Sequence, residues 1–274
     1  MIVGNLVAGL GGRSMTAFDA LNRDIKRYKT MFYEQPAVKR EMTYFLHKMP
    51  TVKSVDEVVE DPRLMKVMLT AFGLESQTFA KAMIKKTIVE GTTDPKAFAR
   101  KIVDPKYRQL SAAFDFPNKG LANVKDEKWI SDVLNQYVDN AMEAEIGETS
   151  PTLRLAMYFQ RKAPKVQTWY EVLGDRALYE VARKIANLPE EIVKVDIDKQ
   201  VQMFKDRINI GDFSNPTAMR GLLNKYMVRA DTENPQVAAA SSPALQVLQA
   251  APMTGFGPIV TIDPTLFANF RPAR

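Results

Sequence analysis

The residue types that most often perform chemistry are scarce in this chain. It contains a single histidine, His47, and no cysteine. A thiol nucleophile, every cysteine-based zinc or iron–sulfur site and every site with several histidine ligands are therefore excluded. His47 is the one residue that could serve a histidine-dependent triad. A polar position on a helix surface explains it equally well, so we assign it no catalytic role.

Two glycine patterns near the start share the spacing of nucleotide-binding loops. Gly4 and Gly9 are spaced as in a phosphate loop, but Leu10 stands where that loop needs a lysine, and no strand precedes it. The run from Gly9 to Gly11 lacks the third glycine of a dinucleotide fingerprint. We therefore predict no nucleotide cofactor.

Two aspartates have the spacing of a calcium-binding loop, but the residues that follow them do not fit that motif. Asp196 and Asp198 have the spacing of the first two ligands of such a loop. The loop then requires a glycine and a bidentate glutamate, and the chain has Val201 and Arg207 at those positions. The sequence therefore predicts no calcium site.

Three carboxylates in the middle of the chain form the last chemical candidate. Asp139, Glu143 and Glu145 could approach one another on a helix, and paired carboxylates divide acid and base roles in some enzymes. No histidine or second acidic helix accompanies them in sequence. We therefore predict a solvated acidic face, and no catalytic, cofactor-binding or metal-binding residue in the chain.

The charge balance permits an acidic partner without requiring one. The formal net charge is +6 and the pI is about 9.3, which suits nucleic acid or an anionic membrane surface. Lysine and arginine are interspersed among 32 acidic residues, and four short groups of them stand out. These groups are Lys26-Arg27-Lys29, Lys39-Arg40, Lys85-Lys86 and Arg161-Lys162-Lys165. We interpret them as solvated helix faces.

Composition divides the chain into three zones. Residues 1–14 are apolar and glycine-rich, residues 15–230 carry nearly all the charge, and residues 231–274 are rich in Ala, Pro, Ser and Gln. The first zone lacks the positive charge that begins a secretory signal peptide, and no run of about 18 apolar residues predicts a membrane span. We predict a flexible N-terminal segment and a low-complexity tail, with docking through the apolar end of the tail as the alternative.

Helix signals recur throughout the middle zone. Five Asp, Ser or Asn residues in this zone precede a proline, an arrangement in which the polar side chain caps a helix and proline takes a position that needs no N–H. These pairs are Asp61-Pro62, Asp94-Pro95, Asp104-Pro105, Ser150-Pro151 and Asn215-Pro216. Asp126 begins another helix with a long apolar stripe, and Thr16 with Asp19 resembles a capping box.

The strand signal is confined to one short stretch. Val193, Val195 and Ile197 alternate with polar residues, but three positions are too few for a sheet. Gly91 and Gly120 are interpreted as helix breaks. The sequence therefore predicts an all-α fold.

An internal repeat is the most informative feature. A shift of 114 residues aligns segment 34–75 with segment 148–189 and gives 13 identities, where unrelated segments would share roughly two or three. In the first copy these are Glu34, Arg40, Tyr44, Phe45, Lys48, Pro50, Val52, Glu57, Val58, Asp61, Leu64, Val67 and Leu74. His47 aligns with Arg161, and a polar surface position would explain both.

The repeat predicts two related helical units that arose by internal duplication. Ser54 and Thr168 both begin capping boxes. Farther along, the second copy carries about seven extra residues, after which Asp94-Pro95 aligns with Asn215-Pro216. The predicted organisation is a flexible segment over 1–14, a first helical unit over 15–120, a connecting helix over 121–147, a second helical unit over 148–230 and a tail over 231–274.

Several runs follow one another in a recognisable order. They are Asp61-Pro-Arg-Leu through Ala71-Phe-Gly-Leu74, Asp94-Pro95-Lys-Ala-Phe98-Ala, Asp104-Pro-Lys-Tyr107 through Ala113-Phe114, and Asp175 through Asp198-Lys199-Gln200 to Asp212-Phe213 and Leu222-Leu223. In this order the chain, over about residues 16–229, resembles the bacterial domain of unknown function 1217 family, whose genes lie among flagellar genes. The resemblance implies a helical protein tied to the flagellum, with no catalytic residue to carry over.

We therefore predict a non-enzymatic, flagellum-associated structural or assembly protein that acts through protein–protein contacts. It would be located in the cytoplasm or reach the flagellum by flagellar export. A cytoplasmic regulator that binds nucleic acid through basic helix faces is the alternative. An enzyme that uses carboxylates and lysine is a third hypothesis, which a buried carboxylate with a shifted pKa in a pocket would favour.

Overall fold

A computed structural model describes residues 13–234 of the protein, and over this range the fold is all-α, as predicted. It comprises fifteen α-helices and six short 3₁₀ helices, with no strand among the described residues. The glycine patterns of residues 4–11 and the apolar end of the tail lie outside this range. The last helix continues to Glu233, three residues into the segment predicted as tail.

The α-helices are α1 (Ser14–Arg23), α2 (Ile25–Tyr33), α3 (Pro36–Lys48), α4 (Val55–Glu60), α5 (Pro62–Ala71), α6 (Lys81–Glu90), α7 (Phe98–Lys101), α8 (Pro105–Phe114), α9 (Phe116–Lys119), α10 (Glu127–Thr149), α11 (Pro151–Lys162), α12 (Trp169–Gly174), α13 (Arg176–Ala186), α14 (Ile197–Lys205) and α15 (Pro216–Glu233). The 3₁₀ helices span 49–51, 75–77, 123–125, 163–165, 190–194 and 210–214.

Four of the five polar–proline pairs begin helices as predicted, and one does not. The four capping residues accept hydrogen bonds from first-turn N–H groups; they are Asp61, Asp104, Ser150 and Asn215. Asp94 accepts a hydrogen bond from the Lys96 N–H, but it only closes a turn. The next helix starts at Phe98, whose N–H donates to the Glu90 carboxylate at 2.6 Å. A side chain from α6 therefore supplies the cap that the sequence assigned to Asp94.

The predicted capping box at the start of α1 is also absent. The helix already begins at Ser14, so Thr16 lies inside its first turn. Asp19 instead forms an ion pair with Arg220 of α15 at 2.8 Å. The Ser14 N–H donates to a carboxylate oxygen of Asp231 at 2.9 Å, and the Ser14 hydroxyl bonds the other oxygen. The two ends of the described chain are therefore joined side by side.

The isolated alternation noted in the sequence is part of helical structure. Val193 belongs to a 3₁₀ helix, Val195 is a single extended residue, and Ile197 is the first residue of α14. Gly91 and Gly120 end helices at φ values of 67° and 57°, a region that favours glycine. Both helix breaks are confirmed.

The long helix α10 lies at the centre of the hydrophobic core. Its apolar stripe, predicted from Asp126 onwards, is buried and packs chiefly against α5 on one side and α11 on the other. The Asn140 side chain donates to the carbonyl of Ala71, the last residue of α5, at 2.7 Å. The sequence predicts this connecting helix as either a spacer or a shared core element, and the packing shows that it is a core element.

The helices before and after α10 pack in the same manner. α3 lies on α5 as α11 lies on α13, and α10 lies on α5 as α15 lies on α13. The 3₁₀ helices 49–51 and 123–125 touch, as do 163–165 and 210–214. In packing, Asp126 at the start of α10 corresponds to Asn215 at the start of α15. The alignment of Asp94 with Asn215 is therefore wrong, because α7 to α9 are an extra segment.

Candidate functional site

His47 lies on an exposed face of α3, beside the cationic side chains of Arg40 and Lys48. Pro36, Arg40, Thr43 and His47 recur every three or four residues, so they share one face of the helix. They form an open groove of about 810 Å³, which we call the α3 groove. It is lined by Pro36, Lys39, Arg40, Thr43, Tyr44, His47, Lys48, Thr51 and Arg63. The exposed position predicted for His47 is confirmed.

The α3 groove is positively charged because no lining residue is acidic. Arg63 is held by Glu41 at 3.1 Å, and Lys39 pairs with Glu34 at 3.0 Å, an exposed contact of small energetic value. The side chains of Arg40 and Lys48 form no ion pair within residues 13–234. The groove therefore offers an acidic ligand two cations that have no ion-pair partner among these residues.

One wall of the groove is fixed by a tyrosine and an aspartate. The Tyr44 hydroxyl donates to Asp61 at 2.6 Å, and the Asp61 carboxylate also caps α5 through the N–H groups of Arg63 and Leu64. Burial disfavours the charged form of Asp61, but the hydrogen bonds from Tyr44 and from the backbone outweigh it and lower its pKa. The Arg63 guanidinium lies 3.9 Å from the centre of the Tyr44 ring, which orders it further.

The equivalent face of α11 is covered rather than open. Arg161, which aligns with His47, donates to both carboxylate oxygens of Glu143 at 2.7 Å and to the Asn140 side-chain oxygen at 2.5 Å. The Glu143 side chain is only 5% exposed. The surface position predicted for Arg161 is therefore wrong, because α10 packs over it.

The three carboxylates of α10 do not form the predicted solvated acidic face. Asp139 forms an ion pair with Lys29 of α2 at 2.6 Å, and Glu145 accepts a hydrogen bond from Gln35 at 3.0 Å. Glu143 faces α11 instead. The acidic side chains thus hold neighbouring helices and do not converge on one site.

Lys162 has a strongly lowered pKa. It lies beside Arg161 and lines a cleft of about 1050 Å³ between α8, α10 and α13. Burial, with Arg161 and Lys165 nearby, lowers its pKa to about 8. Its ammonium is 3.5 Å from the side-chain oxygen of Gln109. Lys48, at the equivalent position of α3, lies on the open surface.

Within residues 13–234, two carboxyl groups have raised pKa values, the feature that would favour an enzyme. Burial raises the pKa of Glu143 and that of Asp104. Each already has a structural partner, since Glu143 binds Arg161 and Asp104 accepts the Lys106 N–H at 2.9 Å to cap α8. Structural ion pairs and caps shift pKa values as active sites do. These shifts are explained without a substrate.

The aspartates considered for calcium serve α14. Asp196 accepts hydrogen bonds from the N–H groups of Asp198 and Lys199, and the Asp198 carboxylate accepts one from the Tyr170 hydroxyl at 2.6 Å. Across residues 13–234, no group of three or more His, Asp and Glu side chains is placed to hold a metal ion. No helix in that range is long and apolar enough to span a membrane.

Sequence reasoning missed the α3 groove, although its residues were visible. Lys39 and Arg40 were interpreted as an ordinary solvated face, and Arg63 was noted only as part of a helix start. The missing signal was the absence of any carboxylate at positions 36, 40, 43 and 47, which share one helix face. That stripe could have been predicted as cationic.

Comparisons with known proteins place the chain in a family. The sequence model described as protein of unknown function (DUF1217) matches residues 71–219. The crystal structure of a protein from Agrobacterium tumefaciens is similar, with a TM-score of 0.74 and 35% identity, covering 80% of this chain and 94% of that one. The comparison with curated proteins found no significant match. A family match over more than half of the residues shows that the chain belongs to the DUF1217 family.

Proposed function

We propose that this protein is a non-enzymatic, flagellum-associated structural or assembly component that docks an acidic partner protein in the α3 groove. The observation that carries the docking role is a cationic groove in which Arg40 and Lys48 have no ion-pair partner within the described residues. The flagellar setting comes from the family resemblance. Its site of action would be the cytoplasm or, after flagellar export, the flagellum.

A protein partner fits the groove better than nucleic acid. Glu34 and Glu41 stand beside its cations, and they would repel a phosphate backbone with one charge per nucleotide. A protein surface carries charges of both signs, so it can place carboxylates opposite the cations of the groove and keep them away from Glu34 and Glu41. A nucleic-acid regulator remains the second candidate, which a steep salt dependence would favour.

We also propose that the fold arose by internal duplication. The Tyr158 hydroxyl donates to Asp175 at 2.6 Å, as Tyr44 donates to Asp61 at the same distance. Both capping boxes form alike: Ser54 and Thr168 accept the N–H groups of the glutamates three residues later. The second set of helices, α11 to α15, therefore provides a template for contacts that the first set leaves open.

The docking role can be tested by reversing charges in the groove. Tagged wild-type protein and the variant Arg40→Glu/Lys48→Glu would be used for affinity capture from cells that make flagella. The control Lys199→Glu/Lys205→Glu reverses two exposed charges on α14. All three proteins should give the same circular dichroism and melting curves. We expect the groove variant to lose at least tenfold of the captured partner and the control to retain it.

Equal capture by all three proteins would show that the groove is not the docking surface. The flagellar setting has its own test, which compares the protein in sheared flagella and culture medium from wild-type cells and from cells without the flagellar exporter. If wild-type cells keep all of the protein inside, it is not exported. If a strain that lacks the gene also has unchanged motility, an assembly role is contradicted as well.

A further inference from the structure

The contact between α10 and α11 has two fixed points. At one, Glu143 and Asn140 bind Arg161. At the other, Gly147 faces Arg154 so closely that a β-carbon on the glycine would lie 2.4 Å from Arg154 Cδ. On α10, the Glu143 carboxylate and Gly147, which lies four residues later and has no side chain, thus allow α10 to pack closely along α11.

Both fixed points on α11 have counterparts in the α3 groove. The 114-residue shift aligns Arg154 with Arg40 and Arg161 with His47. Arg40 and His47 are seven residues apart on one helix face, as Arg154 and Arg161 are. Arg40 and His47 in the groove therefore occupy the two positions that, on α11, contact α10.

No helix of the first half fills this place within the part of the chain that the structure describes. α2 precedes α3 directly, as α10 precedes α11, but it packs more extensively on α10 than on α3. Its Lys29 forms the ion pair with Asp139 of α10 at 2.6 Å. The α3 groove is open because α2 turns away from it.

We propose that the occupant of the α3 groove is an α-helix of a partner protein that lies antiparallel along α3, as α10 lies along α11. The helix carries a carboxylate opposite His47 and, four residues later, a small residue opposite Arg40. This inference rests on the proposed docking function and names the shape and chemistry of the partner. Arg40 and Lys48, which form no ion pair within residues 13–234, make the groove as a whole attractive to an acidic helix.

A second copy of this chain, related by twofold symmetry, is a poorer occupant. An isologous contact would place the α3 groove of one molecule on that of the other. Arg40 and Lys48 of both copies would then face lining residues that include no carboxylate, and like charges across an interface are unfavourable. The charge of the groove therefore selects a different, acidic helix.

A peptide that copies the internal template is the direct probe. A fluorescein-labelled, side-chain-stapled peptide of residues 136–149 contains Glu143 and Gly147, and the staple offsets the weak helicity of so short a chain. Fluorescence anisotropy would measure its binding to the full-length protein. We expect micromolar to submillimolar affinity, at least fivefold weaker binding when the peptide carries Glu143→Gln, and similar weakening with Gly147→Leu.

Substitutions in the protein test whether the peptide binds in the α3 groove. Arg40→Glu should abolish it, and His47→Arg should tighten it severalfold because it installs the residue that α11 uses. Lys199→Glu should leave it unchanged. Circular dichroism and melting curves would show that each variant is folded.

Three results would overturn the inference in different ways. Binding that is lost with Arg40→Glu but unaffected by Gly147→Leu would mean that the groove binds acidic partners without a helix in this pose, so that the docking function stands. No binding at millimolar peptide to either the wild-type or the His47→Arg protein would rule out the helix pose, while charge reversal in cells still tests docking. Tighter, strongly salt-dependent binding of a single-stranded oligonucleotide would contradict both proposals.

Discussion

The exposed face of α3 and the covered face of α11 are built from related residues and end in opposite environments. Each has a tyrosine bound to a helix-capping aspartate at 2.6 Å. On α11 the neighbouring cation, Arg161, is half-buried and bound to the buried Glu143, whereas His47 on α3 faces solvent. The difference shows that the covering helix, rather than the residue types, decides whether a polar stripe supports the core or is available for binding.

The largest expected effect concerns the buried ion pair. Arg161→Ala should lower the free energy of unfolding by about 3–5 kcal/mol, because it leaves the Glu143 carboxylate buried without its partner. His47→Ala, at the equivalent exposed position, should change it by less than about 1 kcal/mol. Urea denaturation followed by circular dichroism measures both. Similar losses for the two variants would mean that the faces are not as different as their burial indicates.

The second prediction uses the two equivalent lysines and has a definite pH dependence. Lys162→Met should stabilise the protein by about 1–3 kcal/mol near neutral pH, because the charged lysine is disfavoured where it is buried. The folded pKa of about 8 lies below the unfolded value of 10.5. The gain is therefore fully present below pH 8 and disappears as the pH rises to about 10.5.

Lys48→Met is the control for this comparison. Its side chain is exposed, so the substitution should change stability by only about 0.5 kcal/mol at any pH. Urea titrations of both variants at pH 6.5 and pH 10 distinguish the outcomes. A gain for Lys162→Met that does not shrink at high pH would indicate improved packing rather than relief of a buried charge.

The third prediction compares the two tyrosine–aspartate hydrogen bonds. Tyr158→Phe should cost about 1–3 kcal/mol, because Asp175 is only 3% exposed and would lose one of its donors in a buried site. Tyr44→Phe should cost about 0.5–1 kcal/mol, since water can replace the phenol beside the less buried Asp61. Thermal and urea unfolding report both. Equal costs would contradict the difference in burial.

The smallest effect concerns two glycines in helices. Gly221→Ala should stabilise the protein by about 0.5–1 kcal/mol, because Gly221 lies within α15 with open space around it. Gly147→Ala should gain less or lose stability, since the new methyl group would push against Arg154. Urea midpoints decide the sign. An equal gain at Gly147 would show that α10 and α11 do not depend on their close approach.

Most helix starts could be predicted because a cap depends on neighbours in sequence. The carboxylate of Asp61 reaches the N–H groups two and three residues ahead, whatever the rest of the fold does. The start at Asp94 failed because Glu90, a residue on the preceding helix, caps the next one. A competing side chain from another element is not visible in a local motif.

The site was predictable only in part, for the same physical reason. Helical spacing places Arg40 and His47 on one face of a helix, but it does not say whether another helix covers that face. Glu143 looked like a solvated acid because its partner, Arg161, belongs to a different helix. The polar face of α11 is covered because α10 packs on it, and the polar face of α3 is exposed because α2 packs on α10 instead.

The joined ends of the described chain have a mechanical consequence. Ser14 and Asp231 are hydrogen-bonded to each other, and Asp19 with Arg220 links the same two helices. A force that pulls residues 13 and 234 apart would therefore act on the contacts that α1 makes with α11 and α15. It would break these contacts one after another, starting at the Ser14–Asp231 pair. The central packing of α10 on α5 would lie outside the line of force. A component held in this way within an assembly would yield first at α1 while its α3 groove kept its shape.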